Sequence, residues 1–153
     1  MLVFPRRGAR PVPSEVREPY RGDFTEASEA LAYSEKASAA LSRRCLQAVL
    51  RDKAQVRHST LYNEIDEAIG SGKLPPDIAE ALHALREFGN FAAHPMKDAA
   101  TGSIVDVEAG EAEWMLDVLE RLFDFCFVGP ALTAKRKAEL NAKLAAVGKK
   151  PIS

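Results

Sequence analysis

Residues 108–128, EAGEAEWMLDVLERLFDFCFV, are the most apolar stretch of the chain and decide its fold. Their apolar side chains recur at the three- and four-residue spacing of an amphipathic helix: Ala112, Met115, Leu116, Leu119, Leu122, Phe123, Cys126 and Phe127. We expect the helix to end at Gly129-Pro130, because proline cannot continue a helical hydrogen-bond ladder. Its apolar stripe is wider than a single core needs, which favours self-association.

Composition favours helices throughout the chain. Among 153 residues there are 25 Ala and 15 Leu against 15 Val plus Ile, so good helix formers outnumber the β-branched residues that suit sheets. This excludes a large β-sandwich or β-barrel. The formal net charge of −1 argues against a wholly basic nucleic-acid coat protein and against an acidic disordered tail.

The two cysteines and the hydropathy indicate a compartment. Cys45 and Cys126 both lie within apolar-periodic stretches, which is typical of reduced core thiols rather than of a disulfide scaffold. No stretch approaches the roughly 18 apolar residues that a membrane span requires. We therefore expect a cytoplasmic protein without a membrane partner.

Start and stop signals predict the other helices. Asp23, with Glu26 as capping-box partner, is expected to open a helix over residues 23–33, and Ser34 to cap a longer one over 35–53. A third helix is predicted over residues 60–69 and a fourth from Pro75-Pro76 to about His94, before Pro95. A last helix is expected over about 132–147. The predicted fold is an all-α antiparallel bundle of five to six helices.

Two segments are predicted to lie outside these helices. Residues 1–22 contain four prolines and five arginines, and this density of proline predicts an extended arm. The chain thus divides into the arm, residues 1–22, and a helical bundle domain, residues 23–153. Residues 96–107 are expected to form a loop.

Charge is segregated along the chain. Residues 98–124 hold eight acidic residues and one base, and residues 135–150 hold six bases and one acid. Four arginines are concentrated in residues 43–57: Arg43, Arg44, Arg51 and Arg57. They are either part of solvated helix faces or contacts for phosphates or for the acidic helix of another subunit. Because Arg43-Arg44 flanks an apolar stripe, one of the two is a candidate to face the interior.

The richest motif is LREFGNFAAHP, residues 85–95. On a helix Arg86, Asn90 and His94 stand at i, i+4 and i+8, so that a cation, an amide and an imidazole share one strip. Gly89 costs roughly 1 kcal/mol relative to alanine in a helix interior, which points to a close approach of another backbone or a ligand. These residues are the candidate site.

The motif resembles the signature of a bacterial family of domains of unknown function, number 4145, in the HEPN superfamily of helical bundles. The resemblance covers about residues 15–152 and includes SEKASAALSRRCLQ at 34–47, GEAE at 110–113 and GKKPI at 148–152. It implies an all-α HEPN-like bundle and a dimer that pairs two equivalent helices. Domains of this family often stand beside restriction, toxin and other defence modules.

Many HEPN proteins are metal-independent endoribonucleases, and the resemblance implies which residues would do this chemistry here. Their motif has an arginine followed by a polar residue and, four residues after that, a histidine. Asn90 and His94 match the polar residue and the histidine, but Gly89 stands where the arginine is expected, and Arg86 lies one turn earlier. Metal-free RNA cleavage needs a base near neutral pKa and a cation, roles that histidine and arginine suit.

Two functions therefore remain open. The first is a HEPN-like interaction module, a homodimer that binds nucleotide, RNA or a partner from a defence system. The second is a metal-independent endoribonuclease that uses His94 and Arg86, with Asn90 beside them. Three scattered histidines and two separated cysteines give no zinc-ligand spacing, and no glycine-rich phosphate loop follows a strand, so neither metal nor cofactor is expected.

Overall fold

The protein is described from a computed structural model, which covers residues 9–93 and 108–153, with side chains for residues 9–87 and 110–153. The helices are α1 (Tyr20–Ala30), α2 (Glu35–Lys53), α3 (Leu61–Gly70), α4 (Pro76–Ala93) and α5 (Glu108–Phe123). A π-helical segment (Asp124–Val128) and α6 (Gly129–Ala146) continue α5 without a break. The described residues thus form five separate helices and no strand, which confirms the all-α prediction.

The predicted starts of α2, α3 and α4 are confirmed. Ser34 accepts a hydrogen bond from the backbone N–H of Ala37 at 3.1 Å, and Thr60 accepts one from Asn63 at 3.3 Å. Each bond satisfies one of the donors that a helix leaves unpaired at its first turn. Pro76 begins α4, where a missing N–H costs nothing. The predicted end of α4 at His94 and the predicted loop 96–107 lie outside the described residues.

The predicted start of α1 at Asp23 is wrong, because the helix begins at Tyr20. Tyr20 is buried against the π segment, and this burial extends the helix toward the N-terminus. Glu18 provides a side-chain acceptor for the first turn, taking a hydrogen bond from the N–H of Gly22 at 3.0 Å. Asp23 instead binds Arg44 of α2. Tertiary contacts have therefore overridden a local capping signal.

The prediction that Gly129-Pro130 ends a helix is also wrong. In an α-helix the ring of Pro130 would collide with the carbonyl group four residues earlier. The preceding π turn is wider, and the N–H of Gly129 bonds to the carbonyl oxygen of Asp124, five residues back. Proline is then accepted at the start of α6, where it needs no donor. The helical path therefore continues past the proline as α6.

Helices α2 and α5 lie at the centre of the bundle. α2 packs against α1, α3 and α5, and α5 also packs against α1 and α4. Aromatic rings join α1 to the C-terminal end of α5, with centroids 5.2 Å apart for Phe24 and Phe123 and 5.3 Å apart for Tyr20 and Phe127. The stripe predicted over residues 108–128 supplies the largest share of these buried side chains.

The segment before α1 packs on the bundle from residue 9 onward. Val16 is buried in the core, and the N–H of Arg10 donates to the hydroxyl of Ser28 at 2.6 Å. The guanidinium of Arg10 reaches both Asp117 and Glu120 on α5, at 2.6 Å each. Within the described part of the chain, no helix is long and apolar enough to cross a membrane.

The aromatic contacts predict a large effect of truncating Phe123. Phe123→Ala removes a fully buried ring that touches Phe24 and Phe127, and should lower the free energy of unfolding by about 3–5 kcal/mol. Urea denaturation measures this change. Tyr33→Ala is the control, because Tyr33 is 92% exposed and its loss should change stability by less than about 0.5 kcal/mol. Equal effects of the two variants would contradict the described core.

Candidate functional site

Of the strip Arg86–Asn90–His94, the structure places the side chain of Arg86 alone. The side chain of Asn90 and all of His94 lie outside the described residues. Arg86 is about one-third exposed, and its Nε lies 2.8 Å from Oδ1 of Asp66 on α3. The contact is an ion pair without an aligned hydrogen bond at the buried Nε. The cation of the strip therefore already has a carboxylate partner in its own chain.

Arg43 joins α2 to the first turns of α5. One of its terminal nitrogens donates to Oε1 of Glu111, a carboxylate that is only 2% exposed. Tyr62 of α3 lies beside this pair: burial raises the pKa of Tyr62, the charge of Arg43 opposes the rise, and Glu111 adds to it. Arg43 is thus the inward-facing member of the Arg43-Arg44 pair, in which the sequence predicts an interior-facing arginine without indicating which one.

Arg51, about two turns after Arg43 on α2, also pairs with a buried carboxylate. Its Nε donates to Oε1 of the fully buried Glu64 at 2.6 Å, and the N–H of Ser59 donates to the same oxygen at 3.1 Å. These bonds tie the end of α2 to the connection before α3. A charged side chain is rarely buried completely unless it is paired, and Glu64 follows this rule.

The other two arginines of this segment make exposed pairs. Arg44 binds Asp23 of α1 at 2.7 Å, and Arg57 lies 3.6 Å from Glu67 of α3. Exposed pairs of this kind contribute between zero and about 1 kcal/mol, so they add little stability. All four arginines predicted to contact phosphate or a partner therefore face carboxylates of their own chain. A phosphate contact of any of them stays a prediction.

The buried pairs are only partly satisfied. Among the described side chains, Ser42 Oγ, Arg43 Nε, Glu64 Oε2 and Glu111 Oε2 are buried without a hydrogen-bond partner. Each carboxylate thus depends on an α2 arginine for its charge balance. Loss of that arginine would leave a buried charge, which costs far more than the loss of an exposed pair.

A groove between α4 and α5 is the second feature of interest. We call it the acidic groove; it has a volume of about 330 Å³ and is lined by Ala81, Trp114, Asp117, Val118, Glu120 and Arg121. Trp114 is held there by a hydrogen bond from Nε1 to the carbonyl oxygen of Ala81 at 3.1 Å. Beside the groove, four acids follow one another along α5 and the π segment at helical spacing: Glu113, Asp117, Glu120 and Asp124.

Residues 25–147 match the family model described as domain of unknown function (DUF4145). The chain belongs to this family. No curated protein and no solved structure matches the chain significantly. The DUF4145 range includes α2 to α6. It therefore contains the acidic groove and both partners of every ion pair made by Arg86 or by the arginines of residues 43–57, except Asp23, the partner of Arg44.

Sequence reasoning found the arginines of this DUF4145 domain but missed their carboxylate partners. Glu111 is 68 residues from Arg43 along the chain, and Asp66 is 20 residues from Arg86, so no local spacing connects them. Glu64 gave a weak signal, since an acid on the apolar side of α3 next to Ile65 must find a partner. The segregation of acidic and basic segments was the only other hint.

Nucleophiles and metal ligands contribute little within the described residues. No three histidine, cysteine, aspartate or glutamate side chains there lie close enough together to hold a metal ion. Burial raises the pKa of Cys45 to about 12 and also raises the pKa of Cys126. The thiolate, which is the reactive form, is therefore scarce at neutral pH.

Thiol labelling tests this burial. At pH 8 the raised pKa leaves Cys45 with about a thousandfold less thiolate than an unfolded cysteine, so iodoacetamide should label it slowly in the native protein. Both cysteines should react rapidly in urea. Rapid labelling of two thiols per native chain, counted by mass spectrometry, would contradict the described packing.

The buried pair Arg43–Glu111 predicts a contrast between neighbouring arginines. Arg43→Met strands a buried carboxylate and should lower the free energy of unfolding by about 2–3 kcal/mol. Arg44→Met, the matched control, breaks an exposed pair and should cost less than about 1 kcal/mol. The double variant Arg43→Met/Glu111→Met should regain most of the loss in urea denaturation. Equal costs for the two single variants would argue against a buried ion pair.

Proposed function

We propose that this DUF4145 domain is a non-catalytic, HEPN-like interaction module that acts as a homodimer in the cytoplasm. The observation that carries the proposal is the ion pair between Arg86 and Asp66. In the ribonuclease alternative Arg86 must stabilise the negative charge of the reacting phosphate. In this chain its guanidinium is already paired with the carboxylate of Asp66, and this pair ties α4 to α3.

The chemistry of the pair supports a structural role for the strip. A phosphate that approached Arg86 would also meet the negative charge of Asp66, whose oxygen lies 2.8 Å from the guanidinium. Like charges at such a distance oppose binding, particularly near a protein surface where screening is incomplete. Gly89 stands at the position where active relatives are expected to carry arginine, so the motif supplies no second cation there.

An interaction role fits the surfaces that the bundle leaves open. The acidic groove is lined by apolar residues such as Trp114 together with the acids Asp117 and Glu120, which is the mixed character of many protein interfaces. Resemblance to domains that stand beside restriction and toxin modules suggests a defence system as the setting. RNA or a nucleotide is the other class of ligand that the resemblance suggests.

An RNA cleavage assay tests the absence of catalysis. Wild type, His94→Ala and Arg86→Ala are incubated with mixed-sequence RNA in EDTA, which removes any contribution from metal ions. We expect the same background cleavage for all three proteins, because Arg86 already faces the carboxylate of Asp66 and Gly89 supplies no second cation. Circular dichroism confirms that each variant is folded.

The same assay also has an outcome that would support the ribonuclease alternative. Cleavage by wild type that falls at least tenfold in both His94→Ala and Arg86→Ala would establish a metal-independent endoribonuclease using these two residues. Asp66→Asn separates the two roles of Arg86. It frees the guanidinium, so it should raise activity in a ribonuclease and leave the background unchanged in an interaction module.

A further inference from the structure

Helix α6 extends away from the rest of the bundle. None of its residues is buried, and in the described chain its one extensive contact with another helical element is with the π segment that precedes it. With 18 residues and 1.5 Å of rise per residue it is about 27 Å long. A helix of that length with no packed face requires another surface to cover it, unless it is polar all round.

Helix α6 is not polar all round. Five residues at i, i+4, i+8, i+11 and i+15 form one stripe, which we call the outer face: Leu132, Arg136, Leu140, Lys143 and Val147. Its apolar members are 56%, 49% and 69% exposed for Leu132, Leu140 and Val147. Apolar residues aligned in this way on an uncovered helix mark an interaction surface.

The chain itself covers a different side of α6. The C-terminal tail folds back so that the side chain of Asn141 donates to the carbonyl oxygen of Ile152 at 3.2 Å and accepts its N–H at 2.7 Å. Lys137 donates to the carbonyl oxygen of Ser153 at 3.1 Å. The tail thus lies along the flank that carries Lys137 and Asn141, and the outer face stays uncovered in the described chain.

Charge determines which surface can cover the outer face. Helix α6 and the tail carry six bases, Lys135, Arg136, Lys137, Lys143, Lys149 and Lys150, against the single acid Glu139. Two α6 helices would therefore repel each other. The acidic groove is lined by two acids, Asp117 and Glu120, and one base, Arg121, and Glu113 and Asp124 extend this row of acids along α5 and the π segment. In the described chain, no cation pairs with Glu113 or Asp124 of that row, whereas Asp117 and Glu120 are held by Arg10.

We infer that the outer face of α6 in one copy of the chain docks on the acidic groove of a second copy. The apolar residues of the outer face would cover the partly buried Trp114, while Arg136 and Lys143 would meet Glu113 and Asp124. Exchange in both directions gives a closed two-fold dimer. The inference deepens the proposed function, on whose homodimer it rests, by naming the two surfaces.

The apolar residues favour a protein over a nucleic acid as the occupant. Phosphates would satisfy the lysines and arginines of α6 but would leave Leu132, Leu140 and Val147 in water. The acidic groove would then remain uncovered as well. Docking on a second copy satisfies both surfaces with one contact.

Complementary charge reversals test the inference. Variant one carries Arg136→Glu and Lys143→Glu on α6, and variant two carries Glu113→Lys and Asp124→Lys beside the groove. Sedimentation and light scattering in about 0.1 M salt, where charges act over about 10 Å, should give a dimer for wild type and the 16.7 kDa monomer for each variant alone. An equimolar mixture of the two variants should again give the dimer, because each α6 then meets a groove of opposite charge.

A matched control keeps the charge change but moves it off the outer face. Lys135→Glu/Lys149→Glu alters the net charge by the same amount as variant one and should leave the dimer intact. The rescue in the mixture also shows that both variants are folded. None of the changed α6 residues is buried, so unfolding is not expected.

Three results would overturn the inference. Wild type could be a monomer at every accessible concentration, variant two alone could remain a dimer, or α6 could bind a fluorescent RNA oligonucleotide while the chain stays monomeric. None of them bears on RNA cleavage. A dimer that cleaves RNA would refute the proposed absence of catalysis and leave the docking intact. An inactive monomer would refute the docking and the homodimer but leave the absence of catalysis intact.

Discussion

The structure depends on the cost of burying two carboxylates, Glu64 and Glu111. Removing a carboxylate from water costs several kcal/mol unless a cation compensates for it. Both cations come from α2, where Arg51 holds Glu64 and Arg43 holds Glu111. Because the two glutamates lie on α3 and α5, this requirement fixes where both helices sit on α2. The apolar side chains supply most of the driving force, but they do not specify this register as strictly.

The same constraint determines which charges are available for function. The arginines that look free in the sequence are used inside the domain: the four arginines of residues 43–57 pair with carboxylates of α1, α3 and α5, and Arg86 pairs with Asp66. Bases without a carboxylate partner in the described residues are instead concentrated on α6 and the tail. In the acidic row, Arg10 holds Asp117 and Glu120, and Glu113 and Asp124 have no cation partner in the described residues. A net charge of −1 thus combines local ion pairs inside the domain with an excess of bases on α6 and the tail.

Much of the fold could be predicted because its signals are local. Ser34, Thr60 and Pro76 mark helix starts by chemistry within a few residues, and the stripe of 108–128 marks the core by its period. The failures have a common cause, because contacts made elsewhere in the fold override the local signal. Burial of Tyr20 extends α1 past Asp23, and the π turn removes the collision that Pro130 would otherwise cause. The ion pairs were inaccessible because their partners are far apart in sequence.

The π segment connects the buried half of the long helix to its exposed half. Without the extra width at residues 124–128, Pro130 would break the helix, and the following residues could fold back on the bundle as a sixth packed helix. With it, α6 continues outward from α5, and its leucines find no apolar surface in the described chain. Because the helical path continues past Pro130, the basic outer face of α6 is held away from the acidic groove of the same chain. Only a second molecule can then bring the two surfaces together.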